Sequence, residues 1–238
     1  MRTAVVVLVV AVVMVAAVTG NSNLLQRFSR SHFAFSLDLY SALAAQSPAR
    51  DSEEGGSGDA SETNLLFSPY SLSTALAMIF MGAGAGSSTS LQLRSALHLN
   101  NFSFSDVHAT YKTVLAKLAD PYYGQVLTVA NGIFQQQESE QQVTDTDSTY
   151  RRALEEFYGA QMQTVDFGRP PMAVAAINAW ASNLTDGRIS SLGSAAGVDQ
   201  TTRLVLASGL AFRSQWLFRF DPAMTFDKGL FYTSSKKR

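Results

Sequence analysis

The chain has 238 residues, 46% of them hydrophobic and 16% charged, which supplies a sizeable core and excludes disorder along the whole length. A formal net charge of −1 excludes the basic balance of a nucleic-acid-binding protein and implies no strongly anionic partner. Cysteine is absent, which excludes thiol catalysis, thiolate zinc sites and disulfides.

Arg2 precedes an unbroken apolar run from Ala4 to Val18, with small residues at Ala16, Ala17 and Gly20. Positive charge, a short apolar run and small residues together predict a secretory signal peptide over residues 1–20, cleaved after Ala17 or Gly20. The run is shorter than a membrane span, and no later stretch reaches the ~18 apolar positions that a span needs. The expected product is therefore a secreted, extracellular protein without a membrane anchor, its one domain running over 21–238.

Phe33, Leu37, Tyr40 and Ala44 recur at helical spacing and predict a helix over 32–45 with these residues inward. Residues 47–62 mix Gly55, Gly56 and Gly58 with Asp51, Glu53, Glu54, Asp59 and Glu62, the composition of a flexible acidic insertion rather than a domain boundary. Asn64–Phe67 predicts a short strand. Ser68-Pro69 is a helix start, with Leu72, Ala75, Leu76, Ile79 and Phe80 inward and Gly82, Gly84 and Gly86 at its end. A short helix from about Ser88 buries Leu93, Ala96 and Leu97. Asp106 is read as the cap of the next helix, which buries Val107, Tyr111, Val114, Leu115 and Leu118 before Pro121.

Val126–Phe134 is β-branched and apolar enough for a buried strand. A helix over about 148–158 stops at Gly159, a strand follows over 160–167, and Pro171 opens a helix presenting Ile177, Trp180, Ala181 and Leu184. In the last strand, Arg203–Phe212, Leu204, Leu206, Leu210 and Phe212 point one way and Val205, Ala207, Gly209 and Ala211 the other. Both faces are apolar, so both should be covered. The class is α+β, multi-helix with mixed sheets.

Little of this pattern carries catalytic chemistry. Asp145, Asp147, Thr149 and Glu156 fit part of a calcium-loop spacing, but Tyr150 stands where the sharp turn needs glycine, so helix capping by Asp147 or Ser148 is the better account. Gly82, Gly84 and Gly86 follow a helix rather than a strand, which rules out a dinucleotide turn. His32, His98 and His108 lack metal spacing and no nucleophile elbow exists. No catalytic residue, metal site or cofactor is expected. Asn101-Phe-Ser103 and Asn183-Leu-Thr185 are N-glycosylation sequons, Asn101 in a polar stretch between helices and Asn183 near the end of a packed helix.

Asn64-Leu-Leu-Phe-Ser68-Pro69-Tyr-Ser71-Leu-Ser-Thr-Ala-Leu-Ala-Met78 resembles the serpin strand 6B and helix B signature. Met81–Thr89 is similar to the glycine-rich turn that follows it, and Val129-Ala-Asn131-Gly-Ile-Phe134 to strand 2A. Val165-Asp-Phe167, Ile177-Asn-Ala-Trp180 and Thr185–Ile189 resemble strand 1A and helix F. Arg203-Leu-Val-Leu, Ala211–Trp216 and Phe220-Asp-Pro222 resemble strand 3A and its exit. Each match is weak alone; in family order from about residue 28 onward they are specific. An unrelated secreted α+β binding protein would require that order by chance.

The resemblance implies a three-sheet domain whose sheet A opens to accept a reactive loop and traps an extracellular serine protease covalently. It implies a polar "shutter" at Asn64, Ser68, Ser71 and Ser208, where short hydroxyls can switch partners as strands part. Serine stands at 208 where the family usually has asparagine, and Ser214 where it has glycine; serine cannot offer an amide donor and acceptor together. The matches are expected to cover roughly the first three fifths of a serpin domain, so no reactive bond lies in this chain. The chain alone is expected to inhibit nothing and to express poorly or self-associate. The helix that binds heparin in some serpins carries only Lys112 and Lys117 as cations here, too few for a polyanion groove. The competing class is a non-inhibitory serpin-fold carrier, storage protein or chaperone.

Overall fold

The structure, a computed structural model, describes residues 23–46, 67–120, 127–137, 145–192, 197–213, 216 and 218–225. The signal segment, the acidic insertion, the strand residue Asn64 and Ser214 lie outside the described residues. Within them run α1 (Asn23–Gln46), α2 (Pro69–Gly82), α3 (Ser88–Ala96), α4 (Phe104–Leu118), β1 (Leu127–Gln136), α5 (Asp145–Tyr158), β2 (Gln161–Val165), α6 (Pro170–Leu184) and β3 (Leu204–Phe212). No helix among the described residues is long and apolar enough to cross a membrane.

The three strands form one sheet in the order β2-β1-β3. β1 runs parallel to β2 and antiparallel to β3, in a register that sets Asn131 opposite Ser208 and Ile133 opposite Leu206. Alternation then sends the two faces to different cores. Ile133, Leu206 and Leu210 join Phe28, Tyr70, Met78, Tyr111, Val114 and Tyr158 from the helices α1, α2, α4 and α5. Ala130, Phe134 and Ala207 join Phe167, Ile177 and Trp180 from α6 and its approach. β3 is thus covered on both faces along its middle, while Leu204 and Phe212 at its ends are exposed.

Several inward faces differ from those the periodicity predicts. α1 begins nine residues before His32 and turns Phe28, His32, Phe35 and Ser36 inward, leaving Phe33 and Leu37 half exposed. Two apolar stripes of the same period coexist on this helix, and Leu24, Leu25 and Phe28 at its start select the other one. In α2, Tyr70, Ser73, Thr74, Ala77, Met78 and Phe80 are buried and Leu72 is exposed. Ser73 and Thr74 face inward because their hydroxyls donate to Tyr70 O, which satisfies them locally. Ala96 and Leu184 also face out, at the last turns of their helices.

The cap of α4 is Ser103, not Asp106: Ser103 Oγ accepts from the Asp106 N–H at 3.0 Å. Ser103 occupies the extended position before the first turn, where a side-chain oxygen reaches the N3 amide, whereas Asp106 is already helical. The candidate calcium-loop residues from Asp145 to Glu156 lie in the regular helix α5. That helix stops at Gly159, whose φ of +57° turns the chain directly into β2.

Candidate functional site

One connected polar link ties the β1–β3 pair to the helices, beside a separate bond from Arg151 Nη1 to the Met162 carbonyl that ties α5 to β2. Ser208 Oγ donates to Asn131 Oδ1 at 2.8 Å across the β1–β3 ladder. Asn131, almost wholly buried, donates through Nδ2 to the Tyr158 carbonyl at 3.1 Å. Tyr158 ends α5; its hydroxyl donates to Ala77 O of α2 at 3.3 Å and lies 2.5 Å from His108 Nδ1. With its own proton on Ala77 O, that hydroxyl accepts from Nδ1–H, which leaves His108 Nε2 as a bare acceptor.

Two further tyrosines hold the same helix. Tyr111 donates to Ser73 O at 3.3 Å and Tyr150 to Met78 O at 2.8 Å, so three hydroxyls from α4 and α5 hold two successive turns of α2. Burial pushes the tyrosine groups up, Tyr150 to about 12 and Tyr111 and Tyr158 further, so all three stay protonated donors. Burial pushes His108 down to about 4 and His32 likewise to about 4, the latter against a backbone hydrogen bond at Pro69 that favours its charged form.

The residues singled out in the sequence fall in different places. Ser208 is in the link. Ser68 caps α2, its Oγ accepting from Ser71 N–H at 3.3 Å. Ser71 is buried and its Oγ finds no partner among the described residues. Asn64 lies outside them. The amide that Ser208 does not supply is present one strand away, at Asn131, and it uses its donor and its acceptor together. Asn131, Tyr158 and His108 are therefore the members that sequence reasoning missed. A buried asparagine inside an apolar strand run was the available signal, since such a side chain must find partners.

Both sequon asparagines are exposed, Asn183 included despite its packed helix. The Arg27 guanidinium donates to the Asn101 carbonyl and lies over the Phe102 ring, which pins that turn to α1. Thr185 is buried, its hydroxyl donating to Ala181 O at 2.7 Å and accepting from Ile189 N–H at 3.0 Å.

The model of the family Serpin (serine protease inhibitor) matches residues 31–238. The chain belongs to the serpin family. Among its relatives, Serpin B6 of Pongo abelii is 32% identical over 182 residues, covering 76% of this serpin and 46% of that protein. Leukocyte elastase inhibitor of Bos taurus is 30% identical over 207 residues, covering 85% and 48%. The solved structure titled "Cleaved Serpin 42Da" superposes with a TM-score of 0.67 at 28% identity, covering 85% of this serpin and 48% of that chain. The chain thus spans about half the length of the relatives it matches, somewhat less than the three fifths that the motif order suggested.

Proposed function

We propose that this chain is the N-terminal portion of a secreted serine-protease inhibitor acting as a suicide substrate, and not an enzyme. The supporting observation is the Ser208–Asn131–Tyr158 link. Beside the backbone ladder, one side-chain hydrogen bond crosses from β3 to β1 and a second ties β1 to the end of α5, and such bonds can be exchanged for others when the sheet rearranges. Among the described residues β3 pairs on one side only, and both its faces rest on apolar clusters, as suits a strand that accepts a further neighbour. Ser68, Ser71 and Asn64 belong to the same shutter on this reading. The chemistry lies in a loop outside this chain: the protease serine forms an ester with the loop carbonyl, the peptide bond breaks, and the amine leaves with its proton. Export by residues 1–20 and glycans on Asn101 and Asn183 complete the reading.

The test uses the protein as its source makes it, captured with an antibody raised against residues 67–120. It is incubated with trypsin-, chymotrypsin- and elastase-like proteases and run on a denaturing gel. A covalent complex with one of them supports the proposal. Cleavage without a complex at every ratio supports a carrier, storage or chaperone role instead.

A further inference from the structure

His108 is a histidine that the proposed inhibitory role does not require, and its surroundings are unusual. It stands in α4 where α2 and α5 converge, 1% exposed. From α2, Phe80 stacks on its ring at 5.6 Å; from α5, Phe157 packs at 6.2 Å and Tyr158 at 5.9 Å; from its own helix, Phe104 stands edge-on at 4.3 Å. The titratable groups facing it are the Tyr158 hydroxyl and, beyond that ring, Tyr111. A charged pair borders this packing: Lys112 lies over the Phe157 ring and pairs with Glu156 at 2.9 Å. Among the described residues, Nε2 has no hydrogen-bond partner and no carboxylate bonds to it.

We propose that His108 is an acid-sensitive latch on the β1–β3 pair: protonation at Nε2 expels the ring from its aromatic cage and releases Tyr158, and with it Asn131 and Ser208. Neutral His108 holds the Tyr158 hydroxyl through Nδ1, and the Tyr158 carbonyl holds the Asn131 amide that accepts from Ser208. A second N–H in that cage has no acceptor, so the charged ring is stable only where water reaches it. Phe104, itself 45% exposed, is the thin wall of the cage and the way out. Burial holds the group near 4, so the latch stays closed at neutral pH and opens in acid. This holds whether or not the longer protein inhibits a protease.

The sheet carries its own reporter. Trp180 packs on Gly132 of β1 and stands edge-on to Phe134 at 5.3 Å, and the only other tryptophan is Trp216. In the full chain with Trp216→Phe, Trp180 emission is followed from pH 7 to 3.5 beside far-UV circular dichroism. We expect a reversible red shift centred between about pH 4 and 5 with the helical signal retained. His108→Gln, which keeps a donor for Tyr158 but takes up no proton, removes the step. Phe104→Ala, which admits water to Nε2, moves its midpoint up by about one pH unit. His32→Gln leaves it in place. Absence of the step with His108 intact, its survival in His108→Gln, or its loss in His32→Gln overturns the proposal; should His108→Gln fail to fold, the direction of the Phe104→Ala shift decides.

Discussion

Replacing Asn131 by alanine tests whether the sheet is held to the helices by the polar link or by apolar packing alone. The substitution removes the hydrogen bonds to the Tyr158 carbonyl and from the Ser208 hydroxyl. It also leaves the Tyr158 carbonyl bare at the end of α5. Each of the two bonds contributes about 1 kcal/mol net, and a buried partner left unsatisfied costs a further 1–3, so the expected loss is about 3–5 kcal/mol. Ser208→Ala removes one bond from a half-buried hydroxyl and should cost about 1 kcal/mol, with the Asn131 donor still engaged. Because the two side chains share a bond, the double substitution should cost less than the sum, by roughly 0.5–1 kcal/mol.

The assay is urea unfolding of the full chain at pH 7, read by tryptophan emission and circular dichroism for all four members of the cycle. Thr128→Ala is the control: it lies on the same strand, and its hydroxyl accepts only from exposed Arg188 at 3.0 Å. That variant should stay within about 0.5 kcal/mol of wild type. If Asn131→Ala is as mild as Thr128→Ala, or if the cycle is additive, the link does not hold the strands and the reasoning fails.

Gly132→Ala places a Cβ 2.6 Å from Trp180 Cζ2 and should cost about 1–3 kcal/mol in thermal unfolding, whereas Gly84→Ala meets nothing within 4 Å and should be near neutral. Ser68→Ala should lose about 0.5–1 kcal/mol, for its capping bond to the Ser71 N–H is a long one at 3.3 Å; an unchanged midpoint would show that Pro69 alone starts α2. His98 holds a φ of 56° just past α3 and pairs with exposed Asp38 at 2.7 Å, so His98→Gly should be more stable than His98→Ala by about 1 kcal/mol in urea titrations. His32 and His108 are each held near 4, below their ordinary 6.5, so the unfolded chain binds more protons in between. Stability should therefore be full above pH 6.5 and fall as pH drops toward 4, by about 2–3 kcal/mol per histidine, checked by urea midpoints at pH 7 and 4.5.

Much of the architecture was legible because its signals are local. Ser68-Pro69, Gly159 and the two-faced strand at 204–212 each act within a few residues, through a cap, a positive φ and strict alternation. The order of short motifs was enough to place the chain in its family, and the helix–strand succession followed. By contrast, the inward face of α1 was open: Phe33-Leu37-Tyr40-Ala44 and Phe28-His32-Phe35 are equally periodic, and only the elements packed against the helix choose between them.

The candidate site depended on tertiary packing almost entirely. Ser208 carried a family signal, but its partner Asn131 lies 77 residues earlier in the chain, and the Tyr158 that receives Asn131 lies 27 residues after that. The hydrogen-bonding capacity of these side chains was fixed by their chemistry; which groups met was set by the antiparallel register of β1 on β3 and by the arrival of the Tyr158 carbonyl, at the end of α5, beside Asn131. His108 shows the same division. Its imidazole can titrate in any chain, but the cage of Phe80, Phe104, Phe157 and Tyr158 that keeps it neutral is assembled from three helices. Local backbone preference and side-chain period are short-range and readable along the chain, whereas burial and polar pairing belong to contacts that exist only once distant segments are packed together.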